Sequence, residues 1–116
     1  MKIIITGDRD FNNYDLLETK CDNILKNIKE RITIVSGTLD GADRIGETYA
    51  SNKGHLIEHI PPNRYLYGIK ANMVRNKDMV ALADSAIVFT NLEKNGVVHI
   101  VDLIKEKGIP HRIINY

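Results

Sequence analysis

Five short apolar segments alternate with four segments of helical pattern along this chain of 116 residues. The apolar segments are rich in isoleucine, valine and threonine and lie at 2–6, 32–36, 56–60, 86–90 and 111–114. Several are continuous rather than alternating in polarity, as is typical of strands covered on both faces. The helical segments lie at 14–29, 41–52, 69–83 and 97–107. This strict alternation predicts an α/β fold, a three-layer sandwich with helices on both faces of a mainly parallel five-stranded sheet.

Length and composition exclude several classes of function. We expect one domain spanning 1–116, because no linker or repeat interrupts the pattern. The net charge of +1 provides no overall field for nucleic acid or for an anionic membrane, and no segment has transmembrane length. Cys21 is the only cysteine, so we expect a cytoplasmic location and no cysteine-based metal site. The four histidines form no metal-binding pattern, and we expect neither a metal nor a cofactor.

The loop after the first strand carries three charged residues behind a glycine. In a parallel sheet, ligands bind beyond the carboxyl ends of the strands, so this loop is a candidate site. Gly7 permits a sharp exit from the strand, and the planar guanidinium of Arg9 can bind a phosphate or a carboxylate. Asp10 is a candidate acceptor for sugar hydroxyls. A plain turn with solvated or mutually paired charges is the alternative.

The loop after the second strand leads directly into a helix. Gly37 and Gly41 bracket this turn, and the unpaired amides at a helix N-terminus favour anions. Ser36 and Thr38 add hydroxyl groups that suit a phosphate or sugar oxygen. Asp43 is a further candidate ligand residue, although an acid in the first turn also stabilises a helix without any ligand.

The third helical segment contains Arg75 and Asn76 near its start. Asn72 is predicted to cap this helix, which places Arg75 in the first turn, where a cation is unfavourable unless it faces a carboxylate or a bound anion. Asn76 interrupts an apolar stripe, so we expect it to hydrogen-bond to loop backbone or to a ligand. Asn95 and Gly96 open the last helix and offer further amides for an anion. The stripe is formed by Ile69, Met73, Val80 and Ala83.

Motifs spread over almost the whole chain resemble those of a known family. They are Ile5-Thr6-Gly7-Asp8-Arg9-Asp10-Phe11, Ser36-Gly37-x-x-x-Gly41-Ala42-Asp43-Arg44, Tyr67-Gly68 and Arg75-Asn76-x-x-Met79. In this order they resemble the YspA-like, cpYpsA-related SLOG family, whose domains are Rossmann-like. That family is similar to the LOG phosphoribohydrolases and to the DNA-processing protein DprA. The resemblance implies a nucleotide or nucleotide-derived ligand, such as an ADP-ribose derivative, and a homo-oligomer.

Some residues depart from the family pattern. Thr38 and Asp40 stand where a second glycine and an arginine are common, and Arg64 replaces a tryptophan before the third helix. Arg75 matches the catalytic arginine of the LOG hydrolases, but His99 lies near the place of their catalytic glutamate. Half of the hydrolytic pair is therefore missing, which favours binding over N-glycosidic cleavage.

The leading hypothesis is a protein that binds a nucleoside phosphate or an ADP-ribose-like molecule, as a signal sensor or a sequestering protein. In this hypothesis the amides of 36–38 and 95–96 hold a phosphate with help from Arg9 and Arg75, and Asp10 contacts a sugar hydroxyl. The first alternative is a LOG-type hydrolase of nucleoside monophosphates, with Arg75 catalytic and Glu93 as a substitute acid. The second alternative is single-stranded DNA binding of the DprA type, which the low net charge disfavours.

Overall fold

A single sheet of five parallel strands forms the centre of the computed structural model, which describes residues 1–91 and 97–116. Neighbouring strands follow the order β3-β2-β1-β4-β5, and each neighbouring pair is parallel. The predicted Rossmann-like α/β fold is confirmed. The strands are β1 (Lys2–Gly7), β2 (Thr33–Ser36), β3 (Leu56–His59), β4 (Ser85–Phe89) and β5 (His111–Ile114).

Helices connect the strands and cover both faces of the sheet. They are α1 (Tyr14–Leu25), α2 (Ala42–Lys53), α3 (Arg64–Tyr67), α4 (Ala71–Leu82) and α5 (Val98–Lys107). The first helix ends at Leu25, four residues before the predicted end at 29. The sequence pattern did not predict α3 or the 3₁₀ turn Gly68–Lys70 that joins it to α4. Asn63 caps α3, since its side-chain oxygen accepts a hydrogen bond from the Leu66 amide at 3.0 Å.

Two apolar cores hold the layers together, one on each face of the sheet. Helices α1 and α2 pack on one face around Leu17, Cys21 and Tyr49, and α4 and α5 pack on the other around Met79 and Ile104. Burial raises the pKa of the Cys21 thiol to about 12, so this thiol is protonated and unreactive at neutral pH. The buried apolar strands supply the centre of both cores, as the continuous apolar segments predict.

The strand order reverses at β1. The chain runs from β1 outward through β2 to β3, then returns to the other side of β1 to form β4 and β5. Connections of opposite direction diverge at such a point and leave a crevice at the carboxyl ends of the strands. The loops after β1 and β2 and the start of α4 are therefore brought to one edge of the sheet. No helix within the described residues has the length and hydropathy needed to cross a bilayer.

Candidate functional site

A cavity of about 470 Å³ lies at the carboxyl end of β1. This volume falls within the range of small-molecule sites, roughly 300–1,000 Å³. Six of the predicted site residues line it, namely Gly7, Arg9, Asp10, Asp43, Arg75 and Asn76. The remaining lining residues are Thr6, Asp8, Leu39, Asn72, Val97 and Ile100. The cavity therefore combines carboxylates and guanidinium groups with an apolar wall.

Asp8 anchors the loop that follows β1. Its buried carboxylate accepts hydrogen bonds from the Thr90 hydroxyl at 2.9 Å, the Asn91 amide at 3.0 Å and the Tyr116 hydroxyl at 2.7 Å. Its backbone carbonyl accepts from the Ala42 amide at 3.2 Å, at the first residue of α2. These contacts fix the loop against the end of β4, the start of α2 and the C-terminal residue.

The next two residues, Arg9 and Asp10, are exposed and line the cavity. The Tyr116 hydroxyl also lies 3.4 Å from Asp10, and the Tyr116 ring packs edge-on against Phe11 with the ring centroids 4.9 Å apart. Desolvation and the hydrogen bond to Asp8 raise the pKa of Tyr116, so its hydroxyl stays protonated and donates. The side chains of Arg9 and Asp10 are thus exposed at the cavity, while the backbone of their loop is held in place.

Asp43 lies in the first turn of α2 and is almost completely buried. Its carboxylate accepts from the Thr6 hydroxyl at 2.7 Å and from the Leu39 amide at 3.2 Å. Burial raises its pKa, and these two hydrogen bonds and the positive charge of Arg75 oppose that change. Asp43 therefore stabilises the turn before α2 and also places a negative charge near the cavity.

Arg75 projects from α4 and is 6% exposed. Its Nη1 atom donates to the Gly37 carbonyl, and its Nε atom donates to Asn76 Oδ1 at 2.9 Å. Its Nη2 atom makes no hydrogen bond to the residues that the structure describes. Burial lowers the pKa of Arg75, the charge of Asp43 opposes this, and Arg9 and Arg64 lower it further. Because the ordinary pKa of arginine is so high, the group remains charged.

Asn76 links Arg75 to α5. Since its Oδ1 atom accepts from Arg75, its Nδ2 atom points to His99 Nδ1 at 3.2 Å. An amide nitrogen only donates, so His99 Nδ1 is the acceptor and the ring carries its proton on Nε2. We expected Asn76 to contact loop backbone or a ligand. The structure pairs its side chain with two other side chains rather than with loop backbone, and a ligand contact stays a prediction. These two hydrogen bonds, from Arg75 to Asn76 and from Asn76 to His99, fix the orientations of the Arg75 and His99 side chains.

Ser36, Gly37 and Thr38 lie beside the cavity and do not line it. The buried Ser36 hydroxyl donates to Glu47 at 2.5 Å and accepts from the Thr38 amide at 3.1 Å. The Thr38 amide, which we expected to hold a phosphate, thus has an internal partner. Gly37 instead makes room for other groups, because a Cβ atom there would lie 2.5 Å from Arg75 Nη1 and 2.7 Å from an oxygen of Asp43. Ligand contacts by these three residues remain predictions.

The start of α4 differs from the prediction. The proposed cap at Asn72 is wrong, because the helix begins at Ala71 after Lys70. The preceding 3₁₀ turn leads directly into the helix, and the Ala71 amide donates to the Gly68 carbonyl, so no side-chain cap is needed there. The Asn72 side chain instead accepts from Arg64 Nη2 at 3.2 Å. Arg75 therefore occupies the fifth helical position rather than the third.

Several predictions concern residues that the structure does not describe. Asn95 and Gly96 fall within 92–96, as does Glu93, so their predicted roles lie outside the described residues. Within 1–91 and 97–116, no group of three or more His, Cys, Asp or Glu side chains is placed to hold a metal ion.

The cavity also contains residues that sequence reasoning missed. Asp8 belongs to a charged motif, but nothing in that motif indicates which of its three charges is buried. Leu39, Val97 and Ile100 carry no chemical signal, and they form a wall only because loops and helices from different parts of the chain meet.

The fold and the cavity define a Rossmann-like α/β protein with a buried arginine at the switch point of its sheet. A family model, described as YspA, cpYpsA-related SLOG family (YAcAr), matches residues 1–67. The chain belongs to this family. The match covers the loops after β1 and β2 and ends before α4 and Arg75. Membership indicates a nucleotide-related function at a coarse level. Comparisons with curated proteins and with solved structures found no match.

Proposed function

We propose that this protein binds a nucleotide or nucleotide-derived ligand, a nucleoside phosphate or an ADP-ribose-like molecule, in the cavity beside β1. The observation that carries the proposal is the buried guanidinium of Arg75, two of whose nitrogen atoms are held by Gly37 and Asn76 while Nη2 makes no hydrogen bond within the described residues. A guanidinium held in this way is a preorganised donor for a phosphate group. Arg9, at the rim, supplies a second positive charge.

The rest of the cavity suits the other parts of a nucleotide. Asp10 supplies carboxylate oxygens of the kind that accept hydrogen bonds from ribose hydroxyls. Leu39, Val97 and Ile100 provide an apolar surface for the sugar or the base. The proposed role is binding without turnover, as a signal sensor or a sequestering protein.

Calorimetric titration tests the proposal directly. The panel contains nucleoside mono- and diphosphates of the four common bases, ADP-ribose and cyclic nucleotides. We expect saturable binding of at least one compound and loss of that binding in Arg75→Ala. Arg112→Ala is the matched control, because Arg112 is an exposed arginine on β5. The absence of heat for the whole panel at millimolar concentrations would overturn the proposal.

The two alternatives are checked with the same protein. Chromatography of each monophosphate after long incubation at high protein concentration detects released base, and release that Arg75→Ala abolishes would favour the hydrolase. A mobility shift with single-stranded DNA that weakens steeply with salt would favour DNA binding of the DprA type.

We also propose that the chain self-associates. Apolar side chains on α3, the 3₁₀ turn and the start of α4 are exposed, among them Tyr65 at 100%, Ile69 at 97% and Met73 at 50%. Exposed apolar side chains concentrated in one segment of the chain often mark interfaces, and a net charge of +1 gives little repulsion between two copies. Light scattering after size exclusion is expected to give a mass above the 13.1 kDa of one chain. Ile69→Asp should reduce that mass to one chain, whereas Leu56→Asp, on an edge strand, should not.

A further inference from the structure

Arg64 contacts the wall of the cavity through a neutral partner, Asn72. It is the first residue of the short helix α3, which Asn63 caps. Its Nη2 atom donates to Asn72 Oδ1 at 3.2 Å, and Asn72 itself lines the cavity. The guanidinium is exposed, so its other donors are accessible to solvent or to a ligand. Through Asn72 it is held on the same side of the cavity as Arg75.

Two arginines, Arg9 and Arg75, line the cavity, and a third, Arg64, contacts Asn72 in its wall. Arg9, Arg64 and Arg75 form no salt bridge with any residue of the described chain. Arg9 and Arg64 are both close enough to repel the charge of Arg75, and Asp43 attracts it. The carboxylates of Asp8 and Asp43 each accept hydrogen bonds from hydroxyl and amide donors, which offsets part of their negative charge.

The carboxylates that line the cavity do not pair with Arg64, whose one side-chain partner within the described residues is the neutral Asn72. One phosphate held by Arg75 leaves Arg64 without an anionic partner, whereas a second, adjacent phosphate extends toward the rim. We propose that Arg64 is a specificity-determining residue that contacts a second phosphate and makes the site prefer a diphosphate to a monophosphate. The inference rests on the proposed nucleotide site and assigns a role to a residue in which this chain departs from the family pattern.

The test compares matched nucleotide pairs, AMP with ADP and the three corresponding pairs of the other bases, by calorimetry at constant ionic strength. The wild-type chain should bind the diphosphate of its preferred base about tenfold more tightly than the monophosphate. Arg64→Ala should weaken diphosphate binding about tenfold and leave monophosphate binding within about twofold, and Arg64→Lys should restore part of the preference. Because Arg64 is exposed, circular dichroism is expected to show an unchanged fold in both variants.

The control and the negative outcomes are distinct. Arg112→Ala removes one positive charge far from the cavity and should keep the full diphosphate preference, which excludes a general effect of net charge. Equal affinities for the two members of each pair, or an Arg64→Ala variant with wild-type preference, would overturn the role of Arg64 and leave the nucleotide site intact. Failure of all eight nucleotides and ADP-ribose to bind the wild-type chain would overturn the proposed function, and the role of Arg64 with it.

Discussion

Arg75 on α4 donates a hydrogen bond from Nη1 to the backbone carbonyl of Gly37 and so joins α4 to the loop after β2. The same guanidinium donates from Nε to Asn76, so two of its three nitrogen atoms are fixed before any ligand arrives. Fixing a long side chain in advance lowers the conformational entropy that is lost on binding. The position of the buried charge therefore depends on a backbone atom 38 residues earlier in the chain.

Replacement of Arg75 by lysine should separate the effect of its charge on nucleotide binding from the effect of its planar geometry. A lysine keeps the positive charge, but its three donors lie on one nitrogen and cannot reproduce the planar arrangement by which the guanidinium reaches Gly37, Asn76 and a phosphate. Arg75→Lys is expected to weaken nucleotide binding about tenfold or more and to lower the free energy of unfolding by about 1–2 kcal/mol, because a buried acceptor loses its donor. Calorimetry and chemical denaturation measure the two effects. Arg112→Lys should change neither the affinity nor the stability. Wild-type nucleotide affinity in Arg75→Lys would contradict the proposed role of the fixed guanidinium.

A methyl group at Gly37 should displace the guanidinium without changing any charge. The added Cβ would lie 2.5 Å from Arg75 Nη1 and 2.7 Å from an Asp43 oxygen, well inside normal contact distance. Gly37→Ala is therefore expected to weaken nucleotide binding about tenfold, as measured by calorimetry.

Gly54→Ala is the control for a general loss of stability. Gly54 has φ +73° and open space around it, so alanine there costs about 1 kcal/mol in unfolding free energy without touching the site. Its nucleotide affinity should equal that of the wild type. If the two glycine variants lose affinity equally, the steric explanation for Gly37 is wrong.

The fold was predictable because its signals are local. The continuous apolar segment of β1 and the alternation of strand and helix patterns need no knowledge of distant contacts, and the parallel five-stranded sheet follows from them. The start of α4 was less predictable. Ile69 and Met73 fit a helical apolar stripe, yet Ile69 lies in the 3₁₀ turn before the helix and both are exposed. Sequence periodicity does not show where a helix begins when its first turn is not capped by a side chain.

The candidate site was predictable only in its position. The carboxyl edge of the sheet follows from a general rule for parallel sheets. The argument for Arg75 placed it in the first turn of its helix, whereas the structure places it at the fifth helical position, and its role stays a prediction. The partners of individual groups do not follow from such a rule, because they are set by tertiary contacts. Ser36 and Thr38 have the chemistry of phosphate ligands, but Glu47, on the following helix, accepts from the Ser36 hydroxyl. Asp8 is engaged by groups more than 80 residues later in the chain.

Thr38 has a strained backbone that a glycine should relieve. Its φ is +66°, in the left-handed region that β-branched residues avoid. Thr38→Gly is expected to raise the free energy of unfolding by about 1 kcal/mol, after the greater flexibility of glycine in the unfolded chain is subtracted. Chemical denaturation measures the gain. Thr38→Ala keeps a Cβ atom and should show only part of this gain in stability. A loss of stability in Thr38→Gly would contradict the proposed backbone strain at Thr38.

The buried carboxyl of Asp43 should make stability depend on pH in a defined direction. Burial raises its pKa above the value of 3.8 that applies to the exposed group, so ionisation is less favourable in the folded chain. Its contribution to stability is therefore fully present below pH 3.8 and is lost as the pH rises through the raised folded value. The difference in unfolding free energy between the wild type and Asp43→Asn should fall over this interval. Chemical denaturation at constant ionic strength measures this difference in unfolding free energy. A difference that rises with pH would contradict the raised pKa of Asp43.

The hydroxyl of Tyr116 should control the rigidity of the loop that carries Arg9. Tyr116→Phe keeps the ring against Phe11 but removes the hydrogen bond to the buried Asp8 carboxylate, at an expected cost of about 1 kcal/mol. The amides of Phe11 and Ala42 both donate to the Asp8 carbonyl, so their hydrogen exchange reports on the loop. We expect the protection of these two amides against exchange to fall about fivefold, because a loss of about 1 kcal/mol makes local opening of the loop about five times more frequent.

Tyr14→Phe is the matched control for this loop. The Tyr14 hydroxyl donates to Glu18 and accepts from Asn52, on helices α1 and α2, and it makes no contact with Asp8. Its loss should leave the exchange of the Phe11 and Ala42 amides unchanged. Unchanged protection of these two amides in Tyr116→Phe would show that Thr90 and Asn91 hold Asp8 without the tyrosine.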